Sequence, residues 1–166
     1  MKKTLMLALG LWLFTLPAKA QKESFDIASF SAPLGWKRYA GNESISFSQQ
    51  SFDTGGPAHY ASGWITIYAS RPSSGDAKKY FLKEWKSKVR SKKLKAKPGI
   101  SEEKIANGWT MITGTASYVE DWASIVAMLI TVTGPDKTIT ISINLKTDKF
   151  LEDVRSFLHS LEFSNK

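Results

Sequence analysis

An α+β fold, with an antiparallel β-sheet packed against a mid-chain helix and a C-terminal helix, is predicted by three stretches of the 166-residue sequence. Residues 138–145, TITISINL, place Ile139, Ile141, Ile143 and Leu145 at every second position, the period of a strand with one buried face. Residues 123–132, ASIVAMLITV, are almost wholly apolar, as a strand covered on both faces is. Residues 77–90, AKKYFLKEWKSKVR, instead repeat their apolar positions every three to four residues, which is the period of an amphipathic helix.

The remaining elements follow in chain order. FDIASFSAP alternates Phe25 and Ile27 with Asp26 and Ala28 and fits a first strand that Pro33 ends. SISFSQQ sets Ile45 and Phe47 against Ser44, Ser46 and Ser48, a half-buried strand. SFDTGGPAH is turn-rich, and GWITIYAS is strongly β-prone. RPSSGD then breaks the chain and offers Ser73 or Ser74 as a helix cap. In the helix that follows, Ala77, Phe81, Leu82, Trp85 and Val89 form the apolar stripe, and Pro98-Gly99 stops any continuation. Asn107-Gly108 lies between β-prone flanks and favours a tight hairpin. The apolar strand 123–132 is expected at the centre of the sheet, flanked by strands within 108–119 and 138–145. Gly134 to Lys137 turns the chain, and Thr147 or Asp148 caps a last helix with Leu151, Val154, Phe157, Leu158 and Leu161 on its apolar side.

The first twenty residues read differently. Lys2 and Lys3 precede an apolar run from Leu5 to Leu16, which closes on Pro17, Ala18 and Ala20. That is the layout of a secretory signal peptide, and the run is well short of the ~20 residues needed to span a bilayer. The expectation is an exported protein, periplasmic or extracellular, whose mature chain starts at Gln21 and forms a single α+β domain over residues 21–166. No other apolar run is long enough to cross a membrane. The chain contains no Cys, so disulfides and thiolate metal sites are ruled out.

Charge is concentrated in one place. The whole chain carries a formal +8. Between Lys78 and Lys97 stand ten basic residues and one acid, Glu84, a local +9. The positive run is one local feature of an otherwise mildly acidic mature protein.

Pro33-Leu34-Gly35-Trp36, shortly after the first strand, resembles the P-x-G-W opening of PsbP-like proteins, and FLEDVRSFLHSLEF, residues 150–163, is similar to their C-terminal helix and final strand. The resemblance implies a PsbP-like α/β/α sandwich and a non-catalytic binding or assembly role in an exported compartment. The RPSSG lead-in and F-x-x-x-W core of the middle helix also resemble a group of secreted bacterial proteins of unassigned function. Neither resemblance assigns a role to a particular residue.

Side-chain chemistry argues against catalysis. His159 lies away from the apolar stripe of its helix, and His59 follows Gly55-Gly56-Pro57 in a loop context with no partner at metal-ligand spacing. No metalloprotease, hydrolase-elbow or phosphate-loop motif is present. No cofactor or metal is expected. Trp36, Trp64 and Trp109 each follow a Gly, and each is read either as core or as a contact to a small apolar ligand. The favoured reading is therefore a non-catalytic exported domain acting on a protein partner or a small apolar ligand.

The alternative is a polyanion or envelope-surface binder working through the Lys-rich segment 78–97, with Lys79, Lys83, Lys86, Arg90, Lys92 and Lys93 as anion contacts. Nucleic acid is disfavoured, because the chain carries an export signal and no aromatic residue interleaves the run's last eight positions. Lys79, Lys83, Lys86 and Arg90 fall opposite the apolar stripe, so they face water when the helix packs. At roughly 1 kcal/mol per cation near an anionic surface, these four supply about 4 kcal/mol, near-millimolar affinity. Replacing all four with Gln should change stability by about 1 kcal/mol or less, measured by denaturant titration. Binding of the parent domain to heparin or anionic vesicles should be weak and lost near roughly 0.5 M salt, where exposed charges are fully screened. Tight, salt-resistant binding that the Gln variant abolishes would make the segment the functional site.

Overall fold

A computed structural model describes residues 22–50, 62–73, 75–89, 98–120 and 123–164. The expected signal segment, the turn-rich residues 51–59 with His59, Arg90, Lys92 and Lys93 lie outside the described residues. The described residues form ten strands and two α-helices: β1 (Lys22–Phe25), β2 (Ala28–Ser31), β3 (Lys37–Ala40), β4 (Ser44–Gln49), β5 (Gly63–Pro72), α1 (Ala77–Lys88), β6 (Gly99–Lys104), β7 (Thr110–Glu120), β8 (Ala123–Thr133), β9 (Lys137–Leu145), α2 (Leu151–His159) and β10 (Glu162–Phe163). Seven strands make one antiparallel sheet in the order β3-β4-β5-β9-β8-β7-β6, and β1-β2-β10 make a smaller one.

The alternating strand sits in the middle. Ile141 of β9 pairs with Ile67 on one side and Ile130 on the other, and Ile143 pairs with Ile65 and Met128. All four apolar positions of β9 are buried, in a core shared with Phe30, Phe47, Val154 and Phe157. That core lies between the large sheet and a layer made by α2 and the small sheet. Phe30 meets the Phe47 ring edge-on at 5.8 Å and Phe157 at 5.7 Å. At roughly 1.5–3 kcal/mol per fully buried aliphatic or aromatic side chain, this layer is the largest apolar contribution to the fold. The expected arrangement of the wholly apolar strand is also found, with β8 between β7 and β9. Its side chains split between the two faces: Ile130 and Val132 join the α2-side core, while Ala127 and Leu129 join a second cluster under α1.

That second cluster corrects the helix stripe. Phe81, Trp85 and Val89 are buried against Ile112, Ala127 and Leu129, but Leu82 is 47 % exposed and its expected place is taken by Glu84, 4 % exposed. Buried positions 81, 84, 85 and 89 keep the helical period, and the stripe is simply rotated by part of a turn. The cap is Asp76, whose side chain accepts the Lys79 N–H at 2.9 Å, rather than Ser73, and Ser74 lies outside the described residues. Gly114 lets α1 approach closely. A Cβ there would collide with the Phe81 ring and stand 3.1 Å from Trp85.

Three local expectations are also corrected. FDIASFSAP is not one strand but the β1–β2 hairpin, turning at Asp26-Ile27 with Asp26 at φ +53°. Asp26 turns the chain because its carboxylate accepts the Ser70 backbone N–H and faces Lys137 at 4.0 Å, tying the small sheet to the large one. The β6–β7 connection is wider than a two-residue hairpin. It runs through a 3-10 turn, Ala106–Gly108, in which Gly108 takes φ +77°. Thr147 caps a 3-10 turn, Asp148–Phe150, that leads into α2, and Leu151 at its start is exposed.

Gly114→Val should destabilise the domain by about 1–3 kcal/mol, the cost of overpacking a closed interface, read from the shift of a denaturant midpoint. Asp26 yields a pH prediction. Partial burial pushes its carboxyl up, but the Ser70 hydrogen bonds and the Lys137 charge outweigh burial and hold it below the ordinary 3.8. A depressed carboxyl contributes stability that is fully present above its unfolded value and is lost as pH falls through the folded value. Thermal melts should therefore show stability falling below about pH 4, with a shallower acid limb in Asp26→Asn.

Candidate functional site

The cavity that stands out lies at one end of the α2 side of the large sheet. In β7 the side chains of Met111 and Thr113 face this side, because Ile112 is turned toward α1. In β8 Met128 and Ile130 do the same. α2 stops at His159, and the Ser160 hydroxyl donates to the Phe157 carbonyl at 2.7 Å while accepting the Ser31 N–H at 2.8 Å. The helix end is thereby pinned to β2, and the chain turns directly into β10. Between this corner and the β6–β8 end of the sheet remains a cavity of about 740 Å³, with Ile105, Met111, Met128, Leu161 and Phe163 among its walls. Drug-sized ligands occupy cavities of about 300–1,000 Å³.

Polar groups line the cavity as well. Glu103, His159 and Glu162 line it beside the apolar walls. Glu162 accepts from the Lys22 ammonium at 2.7 Å. Trp109 is among its walls. It is 1 % exposed, packs on Gly134, where a Cβ would come within 2.7 Å of its ring, and meets Phe163 at 6.1 Å. Its indole N–H is buried without a hydrogen-bond partner among the described residues, an arrangement that ordinarily costs free energy.

The structure does not bring the three glycine-preceded tryptophans together. Trp109 alone of them lines the cavity. Trp36 is buried at the other end of α2, where its Nε1–H donates to Asp153 at 3.0 Å and its ring meets Phe150 edge-on. Gly63 leaves room for it, since a Cβ there would lie 2.7 Å from the Trp36 ring. Trp64 is on the opposite face of the large sheet and is 42 % exposed. Met111, Met128, Leu161 and Phe163 were not singled out as site residues from the sequence. Their apolar periodicity reads as core, and only the short α2 leaves them facing a space.

The basic helix face divides in two. Lys79, Lys83 and Lys86 are exposed on the outer side of α1. Lys88 folds inward, with its ammonium 3.4 Å from the centre of the Tyr68 ring and 3.7 Å from Glu84. Arg71 approaches the same carboxylate at 4.0 Å. The lone acid of the positive run is thus buried between two cations, the condition under which a buried carboxylate is tolerated. Among the described residues no group of His, Cys, Asp and Glu could hold a metal ion, and no helix is long and apolar enough to cross a membrane.

No family model matches the chain, and no curated protein does. Solved structures do. A protein from Bacteroides thetaiotaomicron VPI-5482, solved at 1.50 Å, is similar over 89 % of this chain with 16 % identity and a TM-score of 0.58. The chain spans half of that protein's length. LpqN of Mycobacterium tuberculosis, a protein involved in cell envelope biogenesis, is similar over 83 % of both chains with 12 % identity and a TM-score of 0.51. At these identities the likeness is one of fold: a mixed α+β arrangement of antiparallel sheets with a mid-chain and a C-terminal helix.

Proposed function

We propose that this chain is an exported, non-catalytic binding domain that holds a small apolar ligand in the cavity between the β6–β8 end of the sheet and the α2–β10 corner. The observation that carries the reading is the cavity itself, about 740 Å³ and walled mainly by hydrocarbon, methionine and aromatic groups. Apolar walls stabilise a ligand by removing its surface from water, and Met111 and Met128 adapt to its shape. The PsbP-like order of elements and the signal-like leader support a binding or assembly role in an exported compartment, and the involvement of LpqN in cell envelope biogenesis is compatible with an envelope setting. A second reading, anion binding by the Lys-rich segment 78–97, stands on the exposed row Lys79, Lys83 and Lys86.

The test is titration of the domain with the neutral fluorophore N-phenyl-1-naphthylamine, followed by displacement with fatty acids and fatty alcohols. The fluorophore should brighten and be displaced by the longer chains. Met128→Trp, which fills the cavity, should weaken binding at least about tenfold while the folded baseline is kept in circular dichroism. Binding that Met128→Trp leaves unchanged would place the ligand elsewhere, and absence of any binding would remove the reading.

A further inference from the structure

The opposite face of the large sheet carries a second feature, unrelated to the cavity. α1 packs on β7 and β8 and leaves the β3–β4–β5 end uncovered by any described element. Strand alternation sends Tyr39, Ser46 and Thr66 to this face in one cross-strand row and Lys37, Ser48 and Trp64 in the next. β4 contributes only serines here, so the large rings of β3 and β5 meet across it. Tyr39 and Trp64 are 45 % and 42 % exposed. Their planes lie within 6° of parallel, with centroids 6.3 Å apart.

These rings are fixed by hydroxyls beneath them. The Trp64 indole N–H donates to the Thr66 hydroxyl at 3.1 Å, and Thr66 shares a hydrogen bond with Ser46 at 2.9 Å. The Tyr39 hydroxyl contacts Ser48 and the Lys37 ammonium, which together hold it below the ordinary tyrosine value. Two aromatic rings, each nearly half exposed, are therefore held in one orientation, an arrangement that lowers the ordering cost of binding. Among the described residues, Lys37, Lys88 and Arg71 bring positive charge to this face. Lys37 stands 5.2 Å from the Tyr39 ring centre, and Lys88 and Arg71 lie toward α1. The carboxylate among them, Glu84, is buried under the latter two.

We propose that this face binds an acidic polysaccharide. Sugar rings present a flat C–H surface, which complements the electron-rich face of an aromatic ring. Equatorial hydroxyls reach the half-buried Ser46, and a ring carboxylate reaches Lys37. A bare polyanion would use the cations and leave the aromatic pair idle. A neutral glycan would leave Lys37 without a counter-charge. The face and the cavity lie on opposite sides of the sheet, so either can fail a binding test without the other.

The experiment measures binding of oligogalacturonate, oligoalginate and hyaluronan fragments by calorimetry and tryptophan fluorescence, with neutral dextrin, polyglutamate and oligothymidylate as comparators. At least one acidic glycan should bind and perturb tryptophan emission. Trp64→Ala and Tyr39→Ala should each weaken it about tenfold or more. Lys37→Gln should weaken it and flatten its salt dependence, whereas Arg155→Gln, exposed on α2 at the other side of the sheet, should change nothing. Thermal melts check folding, and Trp64→Phe with Lys37→Gln serves if the alanine variants do not fold. Failure of all three acidic glycans to bind, polyglutamate or oligothymidylate binding as tightly as the best of them, or binding indifferent to Trp64 and Lys37 would each overturn the proposal.

Discussion

Ile139, Ile141, Ile143 and Leu145 occupy alternate positions of β9 and are paired in register on both sides, with β5 and with β8. The antiparallel pairs that join the two halves of the large sheet run through this strand. A slip of one residue would send all four side chains to the α1 side and bring Thr138, Thr140 and Ser142 into the apolar layer. The register therefore sets more than pairing. It makes one face of the sheet apolar and the other hydroxyl-rich, and every later feature of the molecule depends on that division.

On the apolar face, coverage is incomplete. α2 spans only Leu151–His159, and β10 has two residues. Together with β1 and β2 they cover the middle of the sheet, and the cavity remains between the α2–β10 corner and the β6–β8 end. A longer helix would have filled the space with side chains. Among the described residues the Trp109 N–H has no hydrogen-bond partner, and it is buried in the wall rather than open to the cavity.

On the hydroxyl-rich face, α1 covers one end because Gly114 admits Phe81 and Trp85 there. Toward β3 the serines of β4 offer a helix no apolar surface to bury, so aromatic rings lie across them instead. The basic character of α1 has two physical origins. Lys79, Lys83 and Lys86 solvate its outer side, and Lys88 with Arg71 neutralises the buried Glu84. A single positive run in the sequence thus serves two roles that differ in burial.

The sequence by itself determined the elements whose signal is local. The alternation of residues 138–145 and the apolar run 123–132 appear as strands, and the helical period read over 77–90 appears as a helix over Ala77–Lys88, because backbone geometry imposes periods of two and 3.6 on side-chain direction. The α+β class followed from their order. Tertiary structure alone decided what those periods do not encode. The β1–β2 turn depends on Ser70 and Lys137, residues far from Asp26 in the chain. The rotation of the α1 stripe depends on Arg71, which makes burial of Glu84 tolerable where a helical wheel would place a leucine. The cavity depends on where α2 stops relative to a sheet edge built from other segments, and the Tyr39–Trp64 pair meets only because β3 and β5 flank β4. Each is a product of contacts between distant residues, and a period read along one segment carries no information about what will be packed against it.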